Sequence, residues 1–139
     1  MPVRFFIDYK GFQLKNRKQT KEWIVKICKY YNRIDNDINF IFVGRNTILK
    51  LNKKYLNHNW LTDVITFPGD HNDKDEIEGE IYICTYQVKK NALFFHERFN
   101  KELKRVMAHG ILHLVGFDDN TDERSQIMRT MEEKMISLW

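Results

Sequence analysis

The chain is organised around one stretch, Met107-Ala108-His109-Gly110-Ile111-Leu112-His113-Leu114-Val115-Gly116-Phe117-Asp118-Asp119. On a helix, His109 and His113 lie one turn apart on the same face, which is the spacing that lets two imidazoles bind one metal ion. Gly116 favours the end of such a helix, so the returning chain would bring Asp118 or Asp119 to the same place. Two histidines and one carboxylate, with a position left to water, are typical of a catalytic zinc site. The stretch therefore predicts a metal site at the end of a helix.

The residue after the first histidine limits the chemistry of such a site. Metallopeptidases of the His-Glu-x-x-His type carry a glutamate there as general base, whereas this chain has Gly110. Histidines at this spacing also occur on solvated helix faces that bind nothing. The sequence thus disfavours a peptidase of this type, and it leaves the metal site as a hypothesis.

The residues from His109 to Asp119 resemble the signature His-Gly-x-Leu-His-Leu-x-Gly-Tyr-Asp-His of the YbeY family, the metal-dependent endoribonucleases of ribosomal RNA maturation. Every position fits that form except the last, where Asp119 replaces a third histidine. Further motifs follow the family's order and spacing; they are Leu51-Asn52, Tyr55, Thr62-Asp63-Val64-Ile65-Thr66-Phe67-Pro68 and Gly79-Glu80-Ile81. The resemblance therefore covers most of the chain.

The resemblance implies a function and a set of site residues. It implies an endoribonuclease specific for single-stranded RNA, which matures the 3′ end of 16S ribosomal RNA and serves ribosome quality control. RNA and the small ribosomal subunit would be its partners. It also implies one Zn²⁺ ion per chain, bound by His109, His113 and Asp119. Asp118 would be a catalytic residue that accepts a hydrogen bond, and it could exchange roles with Asp119. A carboxylate as third ligand would make the metal a weaker Lewis acid than a third imidazole would.

A second departure from the family concerns an arginine that the resemblance assigns to RNA binding or catalysis. This chain has Leu56 at that position. Lys54 and His58 are the nearby residues that could supply the missing function, so both are candidate catalytic residues. If neither does, nuclease activity would be weak or would need the ribosome as a scaffold.

The mechanism that fits these residues is metal-assisted hydrolysis of an RNA phosphodiester. Zinc lowers the pKa of its water from about 15.7 to about 7, which suits a site without a neighbouring glutamate. Tyr55, Trp60 or Phe67 could stack on an unpaired base, although such aromatic residues are more often part of a core. Two alternatives remain open: a zinc hydrolase of the peptidase type, and a non-catalytic ribosome assembly factor with a structural metal.

Composition predicts one domain spanning residues 1–139. The chain has 42% hydrophobic and 14% aromatic residues, which is enough for an ordered core. A cytoplasmic protein is expected, because no signal peptide and no apolar run of membrane-spanning length is present. Cys28 and Cys84 are isolated and are expected to be reduced core residues. A net charge of +4 is compatible with a polyanionic partner without requiring one.

The pattern of apolar residues predicts an α+β fold, with about four short strands in a mixed sheet, about five helices and a zincin-like metal helix. The expected strands are residues 3–7, 38–43, 64–67 and 80–84, and the expected helices begin at Thr20, Asn46 or Thr47, Thr85, Asn100 and Thr121. Two helix faces are expected to be apolar, one with Val88, Ala92 and Phe95 and the other with Ile127, Met131 and Met135. His71 is expected to be a loop residue.

Overall fold

The computed structural model of the protein describes residues 3–70 and 75–139, and these residues form an α+β fold of four strands and five helices. In chain order the elements are β1 (Val3–Asp8), α1 (Arg17–Tyr30), β2 (Ile34–Val43), α2 (Arg45–Leu56), β3 (Val64–Pro68), β4 (Glu76–Cys84), α3 (Thr85–Phe94), α4 (Phe99–Val115) and α5 (Asp122–Ile136). The predicted fold class is confirmed. His71 lies outside the described residues.

The four strands form one mixed sheet in the order β1-β2-β4-β3. β1 pairs in parallel with β2, and β2 pairs in parallel with β4. β3 pairs antiparallel with β4 and lies at the edge of the sheet. The metal helix α4 contacts both β3 and β4, so the edge of the sheet formed by these strands supports the site.

Alternate residues of β2 face two different helix layers. On β2, Phe40 and Phe42 point into the main core with Ile81 of β4, against α1, α4 and α5. Ile41 and Val43 face the opposite side, where α2 covers a smaller core. The apolar run of β2 is thus explained by burial of both faces of the strand.

Two glycines allow α4 to approach the sheet closely. A Cβ atom on Gly110 would lie 2.7 Å from Ile81 Cγ2, and one on Gly79 would lie 2.7 Å from Leu114 Cδ2. Because Ile81 is fully buried, it has little room to move aside. Gly110 is therefore a packing position, and a glutamate side chain there would be directed into the sheet rather than towards the predicted metal.

Helix starts were predicted less accurately than the helices themselves. α5 begins after Thr121 as expected, and Thr121 Oγ1 accepts a hydrogen bond from the Arg124 amide. The N-caps of the other helices lie one to four residues before the predicted caps; they are Asn16, Gly44, Cys84 and Arg98. Thr20 lies inside α1, where its hydroxyl donates to the Asn16 carbonyl instead of capping the helix.

Both predicted apolar helix faces need a correction. On α5, Met135 is buried and Met131 packs against the core as predicted, but Ile127 is 47% exposed and the other buried residues are Met128 and Glu132. On α3, Val88 and Ala92 are buried as expected, but Phe95 lies just beyond the helix and is 48% exposed. Both departures occur beside the predicted metal site.

The two cysteines are buried and free, as predicted. Burial, with a smaller contribution from the charge of Asp35, raises the pKa of the Cys28 thiol to about 12. Cys28 is therefore protonated at neutral pH and is a poor metal ligand. Among the described helices, none combines the length and the apolar character needed to cross a membrane.

Candidate metal centre

The predicted metal site lies where α4 ends and the chain turns back into α5. Gly116 follows the helix with φ of 121°, a conformation that favours glycine, and its amide donates to the carbonyls of Leu112 and His113. The short turn between Gly116 and Thr121 carries both aspartates. This turn reverses the chain, so Asp119 faces the last turns of α4.

Three side chains direct their ligand atoms to one point. His113 Nε2 lies 2.9 Å from His109 Nε2. Asp119 Oδ2 lies 3.5 Å from His109 Nε2, and Asp119 Oδ1 lies 3.7 Å from His113 Nε2. One ligand atom of each residue lies within 4.8 Å of the others. Imidazole nitrogens and a carboxylate oxygen are donors that suit zinc and several other divalent ions. His109, His113 and Asp119 can therefore hold a metal ion.

A buried carboxylate on α5 orients the first histidine. His109 Nδ1 lies 2.6 Å from Glu132 Oε2 and donates to it, which leaves Nε2 facing the other two side chains. Burial lowers the pKa of His109, but the hydrogen bond and the charge of Glu132 outweigh burial, and the pKa is raised. For His113, burial and the charge of His109 lower the pKa. A carboxylate behind a ligating histidine fixes the ring and makes its free nitrogen a better ligand.

Glu132 belongs to a buried network of charges around Arg105. Arg105 Nε donates to Glu102 Oε1 at 3.2 Å, and Nη1 lies 3.7 Å from Glu132 Oε1. Nη2 donates to Glu133 Oε1 at 2.6 Å, at the surface end of the network. Arg105 is thus one buried cation paired with two buried carboxylates, those of Glu102 and Glu132. The side of the site formed by α4 and α5 therefore carries negative charge, which favours a bound cation.

The site opens into a cavity of about 430 Å³ between α3, α4, α5 and the segment before β3. His109 and His113 line it with side chains that are 20% and 28% exposed, so a substrate could reach a metal bound there. Asp63 lines the opposite wall, and Asn91 Nδ2 donates to its Oδ2 at 3.2 Å. Burial raises the pKa of Asp63, although the charge of His109 opposes this.

Comparison with known proteins agrees with the motifs. The sequence model of the endoribonuclease YbeY family matches residues 7–139. The chain belongs to the YbeY family. It is 39% identical to endoribonuclease YbeY of Flavobacterium psychrophilum over 92% of this chain and 90% of that protein. It is also 39% identical to endoribonuclease YbeY of Christiangramia forsetii, over 99% of this chain and 94% of that protein.

A solved structure agrees with the fold. The solution structure of TM1509 from Thermotoga maritima is similar to this chain with a TM-score of 0.69 and 35% sequence identity. The match covers 98% of this chain and 87% of TM1509. The fold of this chain is thus shared with an experimentally solved protein.

The other site residues predicted from the YbeY resemblance lie outside the cavity lining. Asp118 Oδ1 accepts a hydrogen bond from the Asp119 amide at 2.9 Å, and its Oδ2 lies 3.7 Å from Arg124 Nη1. Lys54 is exposed at the end of α2, with Nζ 5.2 Å from the ring centre of Tyr55. His58 stacks on Trp60 with ring centres 4.2 Å apart. Asp118 thus shapes the turn that carries Asp119, while Lys54 and His58 form a separate surface.

The aromatic residues considered for base stacking are also outside the described lining of the cavity. Trp60 and Tyr55 are exposed, and Tyr55 packs edge to face against Phe67. Phe67 in turn contacts Tyr82 on β4 and belongs to the smaller core. Of these three residues, Trp60 and Tyr55 present exposed rings, and the Trp60 ring is stacked on one side against His58.

The sequence alone did not identify Glu132 or Arg105 as site residues. Glu132 connects the YbeY motif to α5, and Arg105 lies on α4, the helix that carries the motif. The sequence did contain one signal for Glu132. This charged residue lies between Met128 and Met135, at a position that helical periodicity places on the same face as these two apolar residues. A charged residue on a buried face must have a partner. The identity of that partner, His109, depends on the packing of α5 against α4.

Replacing Glu132 by glutamine should weaken metal binding by about 10- to 100-fold, because the amide cannot supply the negative charge behind His109. Affinity can be measured by competition with a chromophoric chelator. Glu133→Gln is the matched control, since Glu133 also contacts Arg105 but is not a partner of His109. Equal affinities of the Glu132→Gln variant and the parent would show that this carboxylate does not act on the metal site.

Proposed function

We propose that this chain is a metal-dependent endoribonuclease that cleaves single-stranded RNA and holds one zinc ion with His109, His113 and Asp119. One observation carries the proposal: in a chain of the YbeY family, three zinc-type donor atoms meet in an open cavity. The partial exposure of the donors supports a catalytic role, since a structural zinc is more often enclosed by four protein ligands.

The residues of the chain have distinct roles in this proposal. His109 and His113 would bind the ion through their Nε2 atoms, and Glu132 keeps the His109 ring oriented through Nδ1. Asp118 positions Asp119 by accepting its amide hydrogen. A divalent ion bound there would supply Lewis-acid polarisation of a phosphoryl oxygen and activation of water at neutral pH.

Lys54 and His58 receive a role at a distance from the ligands. They lie on the exposed end of α2 and after it, near the position of Leu56, where the family resemblance implies an arginine. We assign them to flanking phosphates of a bound RNA rather than to the reacting group, because neither lines the cavity.

The proposed cellular role is the processing of ribosomal RNA in the cytoplasm, including the 3′ end of 16S ribosomal RNA, with the small ribosomal subunit as partner. Membership of the YbeY family supports this role, and the net charge of +4 is compatible with it. One domain formed by residues 1–139 would carry out both RNA binding and cleavage.

The peptidase alternative lacks a base in the expected place. Gly110 packs against Ile81, and a glutamate would not fit there without displacing the sheet contact. The assembly-factor alternative differs from our proposal in one measurable respect, which is the absence of catalysis by the metal-loaded chain.

The proposal is tested by incubating purified protein with a labelled single-stranded RNA and, separately, with a labelled unfolded protein substrate. We expect cleavage of the RNA alone, loss of cleavage with a chelator, and recovery after zinc is restored. Asp119→Ala is expected to lower the rate by at least about 100-fold, because it removes a ligand. RNA cleavage that is equal in the chelated and metal-loaded samples would contradict the proposal, and so would chelator-sensitive cleavage of the protein substrate.

A further inference from the structure

An exposed aromatic residue at the wall of the metal cavity is not explained by packing. Phe95 follows the last residue of α3 and lines the cavity that contains His109 and His113. Its helical periodicity predicts burial, yet the residue is 48% exposed. A large apolar side chain at the mouth of a mostly polar cavity loses the benefit of burial, so a ligand that covers it would gain apolar contact.

The backbone holds Phe95 at this place. The Phe95 amide donates to the Asn91 carbonyl at 2.9 Å, and the Glu97 amide donates to the Ala92 carbonyl at 2.9 Å. Asn91 is one helical turn earlier on the same side, and its side chain donates to Asp63 across the cavity. The ring is therefore held at the end of α3, in the cavity wall that also contains Asn91.

The positively charged side chain of Arg129 lies near the Phe95 ring. The Arg129 guanidinium carbon lies 5.5 Å from the centre of the Phe95 ring, and Arg129 also lines the cavity. Within the part of the chain that the structure describes, no hydrogen bond or salt bridge engages Arg129. Arg105, by contrast, is occupied by its carboxylate partners. The charge of Arg129 also acts on Glu102 and Glu133, but its guanidinium donors are not engaged by either carboxylate within the described residues and can contact a ligand phosphate.

We propose that Phe95 and Arg129 form a nucleotide subsite beside the metal ligands, in which an unpaired base stacks on Phe95 and a phosphate contacts Arg129. This inference rests on the proposed endoribonuclease function and identifies where its substrate is held. Nucleobases stack on aromatic rings without strong sequence preference, and arginine binds phosphate through its planar fork. The cavity volume of about 430 Å³ lies within the range of about 300–1,000 Å³ that is common for small-ligand pockets.

The subsite gives a physical reason for single-strand specificity. A base within a duplex is stacked on its neighbours and cannot place its face on a protein ring, whereas an unpaired base can. The neighbouring Phe94, 78% exposed, contacts Phe95 edge to face but is not part of the described cavity lining. The two phenylalanines are adjacent in the chain, but of the two it is Phe95 that lines the cavity, so Phe94 provides a matched control.

The test uses full-length protein in the presence of a chelator, so that binding is measured without cleavage. The probe is a short single-stranded oligoadenylate that contains one 2-aminopurine, whose fluorescence falls on stacking. We expect Phe95→Leu to weaken binding by about fivefold or more and to reduce the quenching. Phe94→Leu should stay within about twofold of the parent. Arg129→Gln should lower the slope of log affinity against log salt by about 0.7, the value for one phosphate contact on a single strand.

Each outcome decides the inference. Equal binding by Phe95→Leu and the parent would overturn it, as would equal losses in the Phe94→Leu and Phe95→Leu variants, which would indicate a protein-binding or general apolar patch. If the parent cleaves single-stranded RNA with zinc while Phe95→Leu keeps its KM, the subsite is wrong and the proposed function stands. If the parent neither binds nor cleaves RNA, the proposed function fails and the subsite fails with it.

Discussion

His113→Ala is expected to reduce the metal content from about one ion per chain to a small fraction of that. His113 supplies one of three donor atoms, and two protein ligands on a solvent-facing cavity do not retain a divalent ion through purification. The fold should survive, because the side chain is partly exposed and the alanine is a strong helix former within α4. Mass spectrometry of protein purified without chelators or metal-binding tags gives the metal content, and circular dichroism gives the helix content.

The matched control for His113→Ala is another histidine of the same chain. His58 stacks on Trp60 and lies outside the described cavity lining. His58→Ala should therefore retain the metal content of the parent. A parent without metal, or a His113→Ala variant that retains a full complement, would show that the three side chains are not the metal site.

Arg105→Ala is expected to lower the free energy of unfolding by about 3–5 kcal/mol, because it leaves buried carboxylates without their counter-charge. Glu102 and Glu132 are 4% and 5% exposed, so water cannot replace the guanidinium. Urea unfolding at neutral pH measures the loss. Burial raises the pKa of Glu102, so in acidic buffer this carboxyl is protonated before an exposed glutamate would be. Because protonation removes the unpaired charge, the difference between variant and parent should shrink there.

Lys101→Ala is the control for Arg105→Ala. Lys101 Nζ lies 3.5 Å from Glu97 Oε1 on the exposed side of the same helix. Exposed pairs of this kind contribute less than about 1 kcal/mol, so the control should be close to the parent in stability. Similar losses in the two variants would mean that the buried network does not contribute as its geometry indicates.

The cluster of His109, His113 and Asp119 was accessible from sequence because it depends on local structure. His109 and His113 are joined by helical periodicity, and Gly116 marks the helix end that returns Asp119 to them. All of these relations occur within one helix and the turn that follows it. The fold class was also predictable, because the alternation of strands and helices is visible in the apolar pattern.

The supporting residues depend on how distant elements pack. Glu132 reaches His109 from 23 positions away, whereas the predicted apolar face of α5 contained Ile127, Met131 and Met135. The buried face keeps Met135 but includes Met128 and Glu132 instead of Ile127, because the carboxylate of Glu132 meets two partners on α4, His109 and Arg105. The charged side chain of Glu132 can be buried because it has these partners, and no local sequence pattern identifies them.

Gly110 is informative both in the sequence and in the structure. From sequence, it signals the absence of a peptidase-type base. From structure, it is the point where α4 meets Ile81, so its small size has a packing reason. The two observations agree that the chemistry of this cavity does not use a side chain at position 110.

The most direct test of the proposed function is a titration of zinc into chelator-stripped protein while cleavage of a single-stranded RNA is followed. We expect no cleavage at the start, a rise with added zinc, and a plateau at about one equivalent per chain. Cleavage before any metal is added, or a fully loaded protein that leaves the RNA intact, would contradict the assignment of His109, His113 and Asp119 as the metal ligands of an endoribonuclease.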